Sequence, residues 1–301
     1  MEAEIRSQPA FLAGFLREDL PRAPPGSVFC GAGDSFAAAM IAARLSRGNH
    51  VAAEPYELVL DPSIAMGRTV YFVSASGRTA SNLTAAKAVE GMAEERVAVM
   101  ANPSGGLLEA VDSAIFLPYR GAPRLPGTLS FSLSLLALVR LASASRGCDF
   151  RRAYSAAERG AARVLLSSGG TSWFLGNGPA FPAAAYSALK VNEVLGWRSQ
   201  PAMLEEFGHA PVFSLQEGDT VNVFQDFDPL GLGRRVSISL RRLGFESAAL
   251  PAFGGNPLES VFRIVFQSQL AVVTKAADLG LTRPYFSTAK AKLALSDRMI
   301  Y

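Results

Sequence analysis

The segment Ser74-Ala75-Ser76-Gly77-Arg78-Thr79 gathers three hydroxyls, a glycine and a guanidinium within six residues. An apolar, β-prone run, Thr69 to Val73, leads into it, and Leu83, Ala86, Lys87 and Glu90 follow at helical spacing. A turn joining a strand to a helix offers unpaired backbone N–H groups and the positive end of the helix dipole, and both favour a bound anion. Gly77 lets the backbone come close to a ligand. The turn reads as a phosphate cradle, although an ordinary strand–turn–helix with Ser and Thr as caps has the same composition.

A second chemical constellation runs from Ala188-Leu189-Lys190-Val191-Asn192-Glu193 through Glu205-Glu206-Phe207-Gly208-His209-Ala210-Pro211. Glu193 lies near the end of an otherwise apolar helix, where partial burial would raise its pKa toward that of a working base. The alternative is a solvated helix-end carboxylate paired with Lys190 three residues earlier. His209 is expected in a Gly/Pro-rich loop just before a strand, Val212 to Leu215, and a lone loop histidine is commonly a surface residue.

The elements that must position these groups alternate between strand and helix. An amphipathic helix is expected over 4–20, then strands at Ser27 to Cys30, Val51 to Leu60, Thr69 to Val73, Arg96 to Met100 and Ala114 to Leu117. A helix from Thr128 to about Ser145 closes the first half, and a linking helix is expected over 151–168. The order then restarts. Thr171-Ser172-Trp173-Phe174-Leu175-Gly176-Asn177-Gly178 echoes Val28-Phe29-Cys30-Gly31-Ala32-Gly33, strand then Gly-x-Gly, 145 residues later, and Asp219 to Phe224 echoes Thr69 to Val73 at an offset of 150. Such offsets point to two copies of one unit. The fold class is α/β: two flavodoxin-like halves, each a parallel sheet flanked by helices. The second copy lacks the Ser-x-Ser-Gly-x-Thr turn, so the pair of halves is expected to carry one site. Ligands of such sheets bind beyond the carboxyl ends of the strands, at Gly31 to Ser35, Ser74 to Thr79, Ala122 to Thr128 and Gly176 to Gly178. Phe36 and Phe181 stand where a dinucleotide fingerprint needs a further glycine, which disfavours that cofactor.

Composition excludes several classes. With 49% hydrophobic and 18% charged residues over 301 positions, the chain can bury a real core and is not a disordered sequence. The formal charge of +3 is spread over scattered Lys and Arg without interleaved aromatics, so no nucleic-acid partner is expected. Two distant cysteines and two histidines provide no metal or disulfide framework and fit a reducing compartment. Leu129 to Ala142, the longest apolar stretch, is interrupted by three serines and Arg140 and is too short to span a bilayer. The charged N-terminus lacks a signal-peptide core. A soluble, cytoplasmic protein without membrane association is therefore expected.

These residues resemble a family. Ala188-Leu189-Lys190-x-x-Glu193 with His209-x-Pro211 sixteen residues after the Glu is similar to the sugar isomerase (SIS) family in its tandem, double-domain form. The likeness is to the isomerase half of glucosamine-6-phosphate synthase and its deaminase and deglycase relatives. It covers nearly the whole chain. It implies an N-terminal helix over 1–26, subdomains over 27–150 and 151–285, and a tail over 286–301 that contributes to the site. Ser74, Ala75, Ser76, Gly77, Arg78 and Thr79 match the family's phosphate-binding loop, and Gly33, Asp34 and Ser35 its first sugar-contacting loop. Lys290, or its neighbour Lys292, resembles a catalytic tail lysine.

The resemblance implies an isomerase that moves a proton between C1 and C2 of an open-chain hexose 6-phosphate. Glu193 would be the base, His209 would assist ring opening, and Lys290 would face the open-chain oxygens. It implies a small-molecule phosphosugar partner, a homodimer with His209 shared across subunits, and neither a cofactor nor a metal. Glucosamine-6-phosphate deaminase or deglycase activity, or a non-catalytic sugar-phosphate-binding module, are the alternatives. Complete glutamine-dependent synthesis is not expected, for want of an amidotransferase segment, and no helix-turn-helix segment ahead of residue 27 suggests a regulator. The chain departs from the family pattern at Asp34, Ala75 and Arg78. Its Gly121-Ala122-Pro123-Arg124 loop is more similar to archaeal phosphoglucose/phosphomannose isomerases, which makes Arg124 a further catalytic candidate.

Overall fold

Short runs of β-branched, aromatic and small apolar residues in the first half form five parallel strands. They are β1 (Val28–Gly31), β2 (Val51–Ala53), β3 (Thr69–Val73), β4 (Glu95–Met100) and β5 (Ser113–Phe116). Their order is β2-β1-β3-β4-β5, the doubly wound arrangement of flavodoxin-like sheets. The helices are α1 (Glu2–Phe15), α2 (Asp34–Leu45), α3 (Pro55–Leu60), α4 (Ala80–Ala88) and α5 (Leu129–Leu141). The computed structural model describes residues 1–120, 126–143 and 147–301. Phe11–Gly147 with Lys290–Tyr301 makes one unit, and Met1–Ala10 with Cys148–Ala289 the other.

Alternation along the strands splits the first core in two. Val28, Cys30, Val70, Phe72, Ala98 and Met100 pack with Leu58, Ala85, Ala86 and Leu107 from α3, α4 and the turn after β4. Phe29, Tyr71, Val97 and Val99 alternate with them and are equally buried, on the side where α2 and α5 meet. Each such side chain contributes about 1.5–3 kcal/mol by leaving water. The register pairs Gly31 with Val73 and Val73 with Val99, so the loops after β1, β3 and β4 leave the sheet side by side.

The second half repeats the plan. It comprises α6 (Phe150–Ala161), β6 (Ser172–Gly176), α7 (Ala180–Leu195), β7 (Ser199–Met203) and α8 (Leu204–His209). Then come β8 (Thr220–Phe224), α9 (Leu232–Arg242), β9 (Glu246–Leu250), α10 (Pro257–Asp278), α11 (Tyr285–Thr288) and the tail helix α12 (Lys290–Ile300). Its sheet order, β7-β6-β8-β9, is that of the first four strands. The glycines that end β1 and β6 do the same work. A Cβ on Gly31 would come to 2.7 Å of Ser35 Cβ, and one on Gly176 to 2.7 Å of the Ala180 carbonyl oxygen. Both let the following helix close on its strand. Gly33 (φ 57°) and Gly178 (φ 50°) then take the left-handed turn in each copy.

Four expectations need correction. Val51 to Leu60 is a strand only to Ala53. Glu54 accepts from the Tyr56 N–H (2.7 Å), Glu57 accepts from the Glu54 N–H (2.6 Å), and Pro55 presets the first turn, so a capping box turns the rest into α3. Val212 to Leu215 is not a strand: Pro211–Ser214 forms a 3-10 turn, and His209 is the last residue of α8 rather than a loop residue. β7 was not among the expected strands; it is an edge strand, where Pro201 is tolerated. The helices over 4–20 and 151–168 end early, at Phe15 and Ala161. Arg140 donates to the Phe15 carbonyl (2.8 Å), taking up one of the terminal acceptors of α1. Among the described residues no helix is long and apolar enough to cross a membrane.

Candidate functional site

The hydroxyl turn sits at the carboxyl end of the central strand β3 and runs into α4. Ser74 is buried, with its Oγ 3.1 Å from Thr79 Oγ1, and it accepts from the Gly77 N–H at 3.1 Å. The Arg78 N–H reaches Ser76 Oγ (3.3 Å). These bonds curl the turn about its own hydroxyls. Thr79 is the N-cap of α4 but makes no side-chain cap, so it does not take up the first-turn amides. Gly77 has φ 62°, and a Cβ there would strike Met100 Cε and come to 3.1 Å of Gly105 Cα. Glycine is required on both counts. Ala75 and Ser76 are half-buried, and Arg78 is exposed beside them.

The loop after β4 props this turn from behind. Ala101 and Asn102 donate their N–H groups to the Ala75 carbonyl (3.1 and 3.2 Å), and Leu107 donates to that of Gly77 (2.9 Å). Asn102 Nδ2 donates to the Ser76 carbonyl (3.0 Å), and Asn82 Nδ2 on α4 to that of Val73 (3.1 Å). Sequence reasoning missed both asparagines as supports. The available signal was an asparagine in a Gly/Pro-rich loop after a strand, which marks a turn but not its distant partner.

In the loop after β1, Gly33 is exposed and Asp34 opens α2 with Ser35 next to it. A Cβ on Gly127 would collide with Asp34 Oδ2, so the carboxylate lies against the chain leading into α5. Lys290 begins α12 and is exposed, as is Lys292. Arg124 lies outside the described residues.

Within the second unit, Glu193 occupies the last turn of α7. Its Oε2 accepts from Lys190 Nζ at 2.6 Å, and the two side chains are 33% and 1% exposed. The ion pair with Lys190 is thus formed, and the carboxylate is held from behind by a buried ammonium while remaining accessible. Lys190 Nζ also lies 5.0 Å from the centre of the Tyr186 ring. Tyr186 Oη accepts from Gln269 Nε2 (2.8 Å), and Gln269 Oε1 accepts from Gln8 Nε2 (2.9 Å). This buried polar chain behind Glu193 was not read from the sequence. His209 is 70% exposed, its Nε2 3.7 Å from Glu205 Oε1.

Thiol chemistry is disfavoured. Burial, reinforced by Glu54 and Glu57, pushes Cys30 well above the usual thiol range, and burial with Glu259 and Asp149 does the same to Cys148. No group of three or more His, Cys, Asp or Glu able to hold a metal occurs among the described residues.

No protein-family model and no curated protein matches the sequence. Solved structures share its fold. One is tagatose-6-phosphate ketose/aldose isomerase from Escherichia coli, at 18% identity over 94% of each chain with a TM-score of 0.72. Another is glucosamine-6-phosphate deaminase from Thermotoga maritima, at 19% identity over 94% of this chain and 97% of that one, TM-score 0.74. The C-terminal domain of glucosamine-fructose-6-phosphate aminotransferase from Francisella tularensis is similar at 15% identity over 91% and 95%, TM-score 0.69. The chain therefore has the two-sheet α/β fold found in phosphosugar isomerases and other SIS-domain proteins, as its motifs implied. At such identities the likeness is one of fold.

Proposed function

We propose that the protein is an aldose–ketose isomerase acting on a hexose 6-phosphate. The observation that carries this reading is the hydroxyl turn Ser74–Thr79, which leads into α4 without capping its first-turn amides. In this reading the turn takes the phosphate group, with Arg78 beside it. Glu193 takes the proton from C1 of the open-chain ketose. The C–H electrons form the C1–C2 double bond, and the C2 carbonyl oxygen becomes the enediolate oxygen. Return of the proton to C2, with transfer of the O1 proton to O2, gives the aldose. Lys190 holds the carboxylate in one orientation, which supports its assignment as the base. His209 would assist ring opening and Lys290 would face the open-chain oxygens. The exposed ring of His209 suits supply to a second copy, so the working form is proposed to be a homodimer.

Incubation with fructose 6-phosphate should yield an aldose 6-phosphate. Glu193→Gln should lower that rate by about 10²–10⁴-fold, the usual worth of a positioned base; an unchanged rate would refute the assignment. Ammonia release from glucosamine 6-phosphate, without isomerisation, would instead make the chain a deaminase. A third reading, binding without turnover, draws on the close engagement of Glu193 by Lys190. It requires a sugar phosphate to raise the Tm while neither reaction occurs.

A further inference from the structure

Four arginines line a cavity of about 400 Å³ wholly within the second unit. Arg152, Arg159 and Arg163 follow one another at spacings of seven and four, so they form one stripe along α6 and its C-terminal extension. The lining also includes Arg263 on α10 and Phe253 from the loop beyond the carboxyl end of β9. The carboxylates here pair with two of the four arginines. Glu259 meets Arg152 at 3.4 Å, and Asp226 pairs with Arg263. Among the described residues neither Arg159 nor Arg163 has an ion-pair partner. The wall thus keeps a surplus of two positive charges.

Arg263 provides an independent observation. It is 4% exposed, donates to Asp226 and Gln267, and its Nε–H has no hydrogen-bond partner. Burial lowers its pKa despite the Asp226 carboxylate, so the charge is costly where it stands. A cavity lined by four arginines, two of them without a carboxylate partner, is suited to an anion. Apart from Gln267 the rest of the lining is small or apolar, and the Arg152 guanidinium stacks 4.8 Å above the Phe253 ring, leaving a flat wall. A cavity of this size fits a small organic molecule rather than a macromolecule.

We infer that the second unit carries its own site for a small phosphate monoester, separate from the Ser74–Thr79 turn and independent of the proposed isomerase activity. Sugar phosphates and mononucleotides share that chemistry. Isothermal titration of the full chain at fixed ionic strength, with glucose 6-phosphate, AMP and inorganic phosphate as separate probes, distinguishes them. The expected result is that at least one ester binds a site that weakens about tenfold or more in Arg159→Ala/Arg163→Ala. That site should be unchanged in Thr79→Val. Both arginines are exposed, so the double variant should keep the wild-type Tm without ligand. Inorganic phosphate alone matching the esters would overturn the assignment to an ester. Binding of every probe unaffected by the arginine changes would overturn the site itself. Loss in Thr79→Val alone would return all binding to the first unit.

Discussion

The turns after β3 and β8 hold the same place in two sheets of the same strand order, yet they treat negative charge in opposite ways. After β3 the chain supplies hydroxyls, and the N-cap Thr79 leaves the first-turn amides of α4 uncapped by its side chain. After β8 it supplies carboxylates. Asp228 accepts from the Leu232 and Gly233 N–H groups (3.1 and 2.8 Å), taking the amides at the start of α9. Asp226 accepts from the Phe253 N–H (3.1 Å) and pairs with buried Arg263. A helix N-terminus favours an anion in either case. The second unit provides that anion from its own sequence, whereas in the first no N-cap side chain does so. A repeated scaffold thus acquires one helix start without a side-chain cap and one capped by its own carboxylate.

The comparison can be broken most forcefully at Asp226. Asp226→Ala leaves Arg263 charged and unpaired in the interior and should cost about 3–5 kcal/mol in urea denaturation. Adding Arg263→Leu should recover much of that loss, and no recovery would contradict the ion-pair account. In the first unit, Gly77→Ala should cost about 1–3 kcal/mol, because the left-handed φ is strained for alanine and Met100 and Gly105 must give way. The same variant should lose binding of fructose 6-phosphate; retention of both stability and affinity would remove the turn from the site. Asp228→Ala uncaps α9 and should cost about 1 kcal/mol in the same denaturation experiment. A neutral result would mean that water caps the helix equally well.

The smallest effect is a pH dependence confined to the first unit. His50 is buried, 5.1 Å from the Phe29 ring, and burial lowers its pKa below the ordinary 6.5. The unfolded chain therefore takes up a proton that the folded chain resists. Stability is fully present above pH 6.5 and is lost as pH falls toward the folded-state value. His50→Phe should flatten that part of the stability–pH curve, measured as denaturation midpoints down to about pH 5. An unchanged slope would assign the acid sensitivity to other groups.

Much of the architecture was legible because it is written locally. The strand-to-helix alternation, the Gly-x-Gly after β1 and again after β6, and the hydroxyl-rich turn after β3 are each written within a few residues, and the structure carries all three as local geometry. The misread elements, α3, the turn after His209 and edge strand β7, are those where a short capping motif or a sheet position outweighed apolar content. The candidate site was legible only as a set of residue types. Lys190 and Glu193 at i, i+3 admitted either a base or a surface ion pair, and the sequence could not show that Lys190 is 1% exposed.

By itself, then, the sequence determined the α/β class, the repeated order of elements and the place of the hydroxyl-rich turn between β3 and α4, because helical period, strand alternation and positive-φ glycines act over single turns of chain. Tertiary structure alone decided what each polar group faces. Asn102 reaches back 26 residues to Ser76, Arg263 spans 37 to Asp226, and Gln8 spans 261 to Gln269. Polar partners in the interior are chosen by proximity after folding, since a buried donor must find an acceptor wherever the packed chain brings one.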